Sequence, residues 1–99
     1  MLCPMKAELL HHEKHRFDDG AILEMQLWRV PNPVPGSRHQ LKYSLYYGLR
    51  GVRLVGYDNE RDKGDHRHVT GAEESYVFVS VRQLVADFLA DVEAIRGTL

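Results

Sequence analysis

Between Gly56 and His68 the chain reads Gly-Tyr-Asp-Asn-Glu-Arg-Asp-Lys-Gly-Asp-His-Arg-His, four acids, two arginines, a lysine and two histidines in one short stretch. If Asp58 and Glu60 continue a strand, their side chains share a face, because strand side chains alternate. His66 and His68 stand in the same relation if their segment is extended. Two such pairs converging would form a mixed carboxylate–imidazole site suited to Mn, Zn or Mg according to its geometry. The same residues allow a metal-free route, cleavage of RNA by its own 2′-hydroxyl. His66 or His68 would then act as base or acid, and Arg61, Lys63 and Arg67 would hold phosphate and stabilise the charged phosphorane. Tyr57, Asn59 and Asp65 complete the candidates. The plain alternative is a solvated loop in which Asp58 or Asn59 only caps a turn.

Other groups carry weaker signals. His11, Glu13 and His15 would share a face of a charged first strand, where an exposed edge explains them as well as a ligand does. Tyr43, Tyr46, Tyr47 and Tyr57 could stack on bases, though aromatic residues also favour strands for ordinary packing. Arg38, His39 and Lys42 bring positive charge near the start of a second hairpin, or form a plain solvent face.

These residues must be positioned by a small scaffold. The chain has 99 residues, 43% hydrophobic and 27% charged, with a formal charge of -1. That suits one domain of residues 1–99 with a modest core. It excludes nucleic-acid binding by bulk basic charge, so any such contact needs a local cationic patch. Cys3 is the sole cysteine, which rules out an internal disulfide and fits a reducing compartment. No apolar run approaches the roughly 18 residues of a membrane span. A cytoplasmic protein without membrane partners is the expectation.

Residues 6–17 form a charged run ending at Asp18-Asp19-Gly20, a hairpin signal, and so predict an edge strand. Leu23, Met25 and Leu27 alternate with Glu24, Gln26 and Trp28, a strand with its apolar side inward and Trp28 facing away. Pro31, Pro33 and Pro35 stiffen a connection expected to cross the sheet widely. Leu41, Tyr43, Leu45 and Tyr47 resume the alternation. Gly48–Gly51 is read as a turn and 52–57 as a fourth strand, closing a second hairpin. Residues 71–74 are read as a turn and 76–79 as a short extended piece. Ser80 and Gln83 form a capping box. The stripe Val81, Leu84, Val85, Phe88, Leu89, Val92, Ile95 then predicts a helix, ended by Gly97. The fold class expected is α+β: an antiparallel sheet of four to five strands, in two hairpins, against a C-terminal amphipathic helix.

Several blocks in this order resemble the TumE-type toxins of bacterial toxin–antitoxin systems. They are Trp28-Arg29-Val30-Pro31, residues 33–37, Lys42-Tyr43 through Tyr47-Gly48, residues 56–60, residues 63–68, and Phe78-Val79-Ser80. The resemblance implies a cytoplasmic toxin held by a cognate antitoxin, usually a helix-turn-helix protein, with ribonuclease activity on cellular RNA. Asp58, Glu60, His66 and His68 are then the candidate catalytic or metal-binding groups, with a divalent metal as optional cofactor. A non-enzymatic module that binds protein or nucleic acid is the alternative. Open sheet edges would also allow a homodimer.

Overall fold

The computed structural model of the chain describes residues 7–60 and 62–97. Among these, six strands precede one helix: β1 (Glu8–Arg16), β2 (Ile22–Arg29), β3 (Leu41–Leu49), β4 (Val52–Glu60), β5 (Gly64–Val69), β6 (Ala72–Ser75) and α1 (Val81–Arg96). Each strand pairs antiparallel with the next, so the sheet order is the chain order. This is the expected α+β architecture, with one strand more than the upper expected number.

Alternation in β2 and β3 builds the covered face. Leu23, Met25 and Leu27 pair across to Tyr47, Leu45 and Tyr43. Val55 and Tyr57 of β4 continue the same side, and Leu84, Phe88 and Val92 of α1 close over it, all buried. Burial of each such side chain contributes about 1.5–3 kcal/mol. Ser80 Oγ accepts the Gln83 N–H at 3.1 Å, and Gly97 takes φ 88° to send its N–H to Glu93 O at 2.7 Å. Both helix ends follow the capping logic read from the sequence.

Off its apolar stripe, α1 is tied by polar contacts to the sheet and to the segment that follows β6. The Tyr57 hydroxyl donates to Asp91, the Tyr76 hydroxyl to Asp87 at 2.6 Å, and Arg96 donates to the Tyr47 hydroxyl at 2.9 Å. Burial, then the neighbouring carboxylate, raises both the Tyr57 and Tyr76 phenols well above the ordinary range, so both stay protonated donors.

The turns differ from the expectation. Arg50-Gly51 and Thr70-Gly71 each place two residues at positive φ (54° and 78°; 45° and 88°), the two-residue geometry that matches strand twist. The second turn therefore occupies 70–71, not 71–74, and Ala72–Ser75 becomes β6. Residues 76–79 lie outside the sheet. They lead to the helix, with Tyr76 and Phe78 packed on the core and Val77 and Val79 exposed.

β1 is the predicted edge strand and is exposed throughout, with a register shift between Leu9 and His11. Its His11, Glu13 and His15 pair with Leu27, Met25 and Leu23 and so take the helix-side face. Lys6, where the first run was read to begin, and Cys3 lie outside the described residues.

The proline-rich connection does not cross the sheet, because β2 and β3 are neighbours. It folds over the β4–β5 turn, where Pro35 O accepts the Asp62 N–H at 2.6 Å. Gly36 has φ +99°, and a Cβ there would stand 2.7 Å from Gly64 N. Only glycine permits that backbone contact.

Candidate functional site on the open sheet face

The polar stretch is a hairpin, with its first five residues on β4 and its last five on β5. Tyr57 and Asn59 are buried on the helix side, so Asp58 between them takes the opposite, open face. Register then brings its neighbours: Asp58 pairs with His66 and Gly56 with His68, while His68 pairs with Glu73 of β6.

Ligand atoms of Asp58, His66 and His68 all lie within 4.8 Å of one another. His66 Nε2 is 2.7 Å from Asp58 Oδ1, and Glu73 Oε2 is 3.5 Å from Nε2 of both His66 and His68. The two imidazoles meet edge to face at 5.0 Å. His66 is only 5% exposed, and its Nδ1 stands 3.1 Å from Gly64 O. A carbonyl accepts and cannot donate, so Nδ1 carries the proton. Nε2 is thereby turned towards the two carboxylates, which also only accept, so a proton or a metal ion must stand between it and Asp58. Asp58 Oδ1 is buried and has no aligned hydrogen bond among the described residues. Burial raises the Asp58 carboxyl above its ordinary value, opposed next by the charge of His66.

Around this centre the open face is mixed. Trp28 pairs with Lys42, and Tyr46 with Gly56; alternation sets Trp28, Lys42 and Tyr46 on the open side, Lys42 exposed and the two aromatic residues partly so. Arg53 lies across Gly56, where an added Cβ would meet its Cδ at 2.8 Å, and its charge acts on Asp58. Lys63 lines a shallow depression of about 470 Å³ with His66, Glu73, Glu74 and Ser75. Glu60 stands at the end of β4, exposed, 3.6 Å from Lys63 Nζ. Arg61 lies outside the described residues.

The remaining candidates are on the helix side. Arg67 Nε is 2.7 Å from Glu74 Oε1, and Nη1 reaches the Tyr57 hydroxyl at 3.4 Å. Asp65 accepts from Ser37 Oγ at 2.5 Å, from His39 Nε2 at 2.6 Å and from the Tyr43 hydroxyl at 2.8 Å. His39 Nδ1 accepts the Leu41 N–H at 3.2 Å, so both ring nitrogens are engaged and no lone pair is left for a substrate. Asn59 accepts the Tyr43 N–H at 3.0 Å and donates to Leu41 O at 2.7 Å. Its amide acts as a surrogate peptide that extends the β3–β4 ladder. These groups form the joint between the proline-rich connection and the sheet.

Glu73 and Arg53 were not singled out from the sequence. Glu73 was hidden by reading 71–74 as a turn. The usable signal was Thr70-Gly71, a two-residue turn that makes Ala72 the start of a strand and aligns Glu73 with His68. Arg53 reaches the site through a register shift between Tyr47 and Gly48, which alternation alone does not reveal.

Residues 6–96 match the family model described as toxin TumE. No curated protein and no solved structure matches the chain. No helix among the described residues is long and apolar enough to cross a membrane.

Proposed function

The chain belongs to the TumE toxin family, and from that membership we propose that it is an endoribonuclease that cleaves cellular RNA on the open face of its sheet. Membership of a toxin family implies an antitoxin partner; in this reading that partner is a helix-turn-helix protein that keeps the toxin inactive in the cytoplasm. One observation carries the enzymatic reading: the convergence of Asp58, His66 and His68, with Glu73 beside them, on the sheet face opposite α1.

Phosphodiester cleavage needs a group that activates the attacking oxygen, one that assists the leaving oxygen, and charge to stabilise the phosphorane. Two routes fit the donor set, proton transfer by His68, the more exposed imidazole, and activation by a bound ion. Arg53, whose charge acts on Asp58, and Lys63, which lines the same depression as His66, serve as phosphate partners in this reading. Trp28 and Tyr46 offer π-faces on the same side for unpaired bases, the way single strands are held without a basic surface overall. Arg67, paired with Glu74 on the other face, serves this reading as a positioning group for β5 and β6.

The test is cleavage of purified single-stranded RNA together with growth arrest on expression without antitoxin. Asp58→Ala and His68→Ala should abolish both while circular dichroism stays that of the wild type. Folded variants that cleave and arrest at the wild-type level would refute the assignment. Protein that cleaves no RNA, yet still arrests growth and binds its antitoxin, would leave the non-enzymatic module as the reading.

A further inference from the structure

We propose that Asp58, His66, His68 and Glu73 form a binding site for one divalent metal ion of the zinc class, held through two imidazole nitrogens and two carboxylates. What such an ion would do to RNA rests on the reading above; that it binds does not.

The distances suit an ion. In a tetrahedral site with bonds of about 2.0–2.1 Å, ligand atoms stand about 3.3 Å apart. Glu73 Oε2 lies 3.5 Å from Nε2 of each histidine, close to that edge. The 2.7 Å approach of Asp58 Oδ1 to His66 Nε2 is shorter than such an edge, and an inserted ion would open it.

Orientation points the same way. Metal-bound histidine typically donates its other ring N–H to a carbonyl or carboxylate, which fixes the tautomer and aims the lone pair. His66 has this arrangement, with Nδ1 held by Gly64 O and Nε2 facing the carboxylates. Its burial tells against proton transfer to a substrate, which must reach the nitrogen. An ion would instead take the place of the proton between Nε2 and Asp58. The buried Asp58 Oδ1 faces His66 Nε2 at 2.7 Å without an aligned hydrogen bond; an ion between the two would satisfy it, as buried carboxylate oxygens normally are.

Two nitrogens with carboxylates favour Zn²⁺ and its neighbours over Mg²⁺ or Ca²⁺, which select all-oxygen sites. Four protein ligands fill a tetrahedral shell, so water or a phosphate oxygen would reach the ion by displacing Glu73, whose side chain is half exposed, or as a fifth ligand.

Chelator-treated wild-type protein should be titrated with Co²⁺ and Zn²⁺ separately. Calorimetry should give one equivalent of either ion, and Co²⁺ should develop the visible absorption of a low-coordinate site. His68→Ala and Glu73→Gln, both outside the core, should each weaken binding by at least the roughly 10–100-fold that loss of an outer-shell partner costs. A double variant of β1, His11→Ala with His15→Ala, should bind as the wild type does. Absence of saturable binding would overturn the site, as would affinity that survives in folded His68→Ala and disappears in the β1 variant. RNA cleavage separates the two claims. Undiminished cleavage in chelator by protein that takes up no ion sinks the metal site alone. Stoichiometric binding that depends on His68, with no RNA cleaved in its presence, upholds the site and sinks the ribonuclease reading.

Discussion

Replacing Asn59 by alanine should destabilise the protein without touching its chemistry. The side chain is 2% exposed and bridges strand backbone on one side and the proline-rich connection on the other. Its loss orphans the Tyr43 N–H and the Leu41 carbonyl inside the sheet. A buried unsatisfied group costs about 1–3 kcal/mol, so two such groups and a small void amount to about 3 kcal/mol after partial relaxation. That is a large part of the roughly 5–15 kcal/mol typical of a domain. With a urea slope of about 1.5 kcal/mol per molar for a chain of this size, the unfolding midpoint should fall by about 2 M. The single tryptophan, Trp28, reports the transition by fluorescence. Asn59→Asp should do no better, because it sets a carboxylate oxygen against the Leu41 carbonyl. An Asn59→Ala protein within about 0.5 kcal/mol of the wild type, yet unable to cleave RNA or arrest growth, would refute this and return Asn59 to the working site.

Other substitutions test the scaffold. Gly36→Ala meets both a positive φ and the backbone of Gly64, and should cost about 1–3 kcal/mol in thermal unfolding. Gly20→Ala, with φ +91° but nothing within 4 Å of the added carbon, should cost less; equal losses would show that the contact with Gly64 is unimportant. Phe88→Ala empties the centre of the helix–sheet interface, where Phe88 is fully buried and meets Tyr57 edge to face; about 3–5 kcal/mol should be lost in denaturant titration. Ser80→Ala removes the cap bond to Gln83 and should cost about 1 kcal/mol, read in the same titration.

Much of this fold was legible because its signals are local. The alternations of β2 and β3, the stripe Leu84–Phe88–Val92 and the caps Ser80 and Gly97 each follow from backbone geometry within a few residues. β6 was not legible: Ala72-Glu73-Glu74-Ser75 has no apolar alternation, and only pairing with β5 makes it a strand. At the site, alternation put Asp58 with Glu60 and His66 with His68 on common faces. Which face was a harder matter, although Asp58 next to an inward Tyr57 carried the answer. The opposite placement of Asp65 and Arg67 follows from the same parity. Their partners, His39, Tyr43 and Asp91, are distant in the chain, so a sequence reading could not tell a joint from a catalytic group.

The one-after-another order of the strands has a consequence for the chain as it is made. Each hairpin can close as soon as its second strand emerges, with no need to wait for a distant partner. The helix follows all six strands, so the apolar side of the sheet stands uncovered while α1 is still being added. At roughly 5–20 residues per second, its 16 residues take about 1–3 seconds to add. Whatever part of the sheet has emerged by then has its greasy face bare. This is the moment at which it is most open to capture, by a chaperone, by another nascent chain, or by the partner that holds it in check.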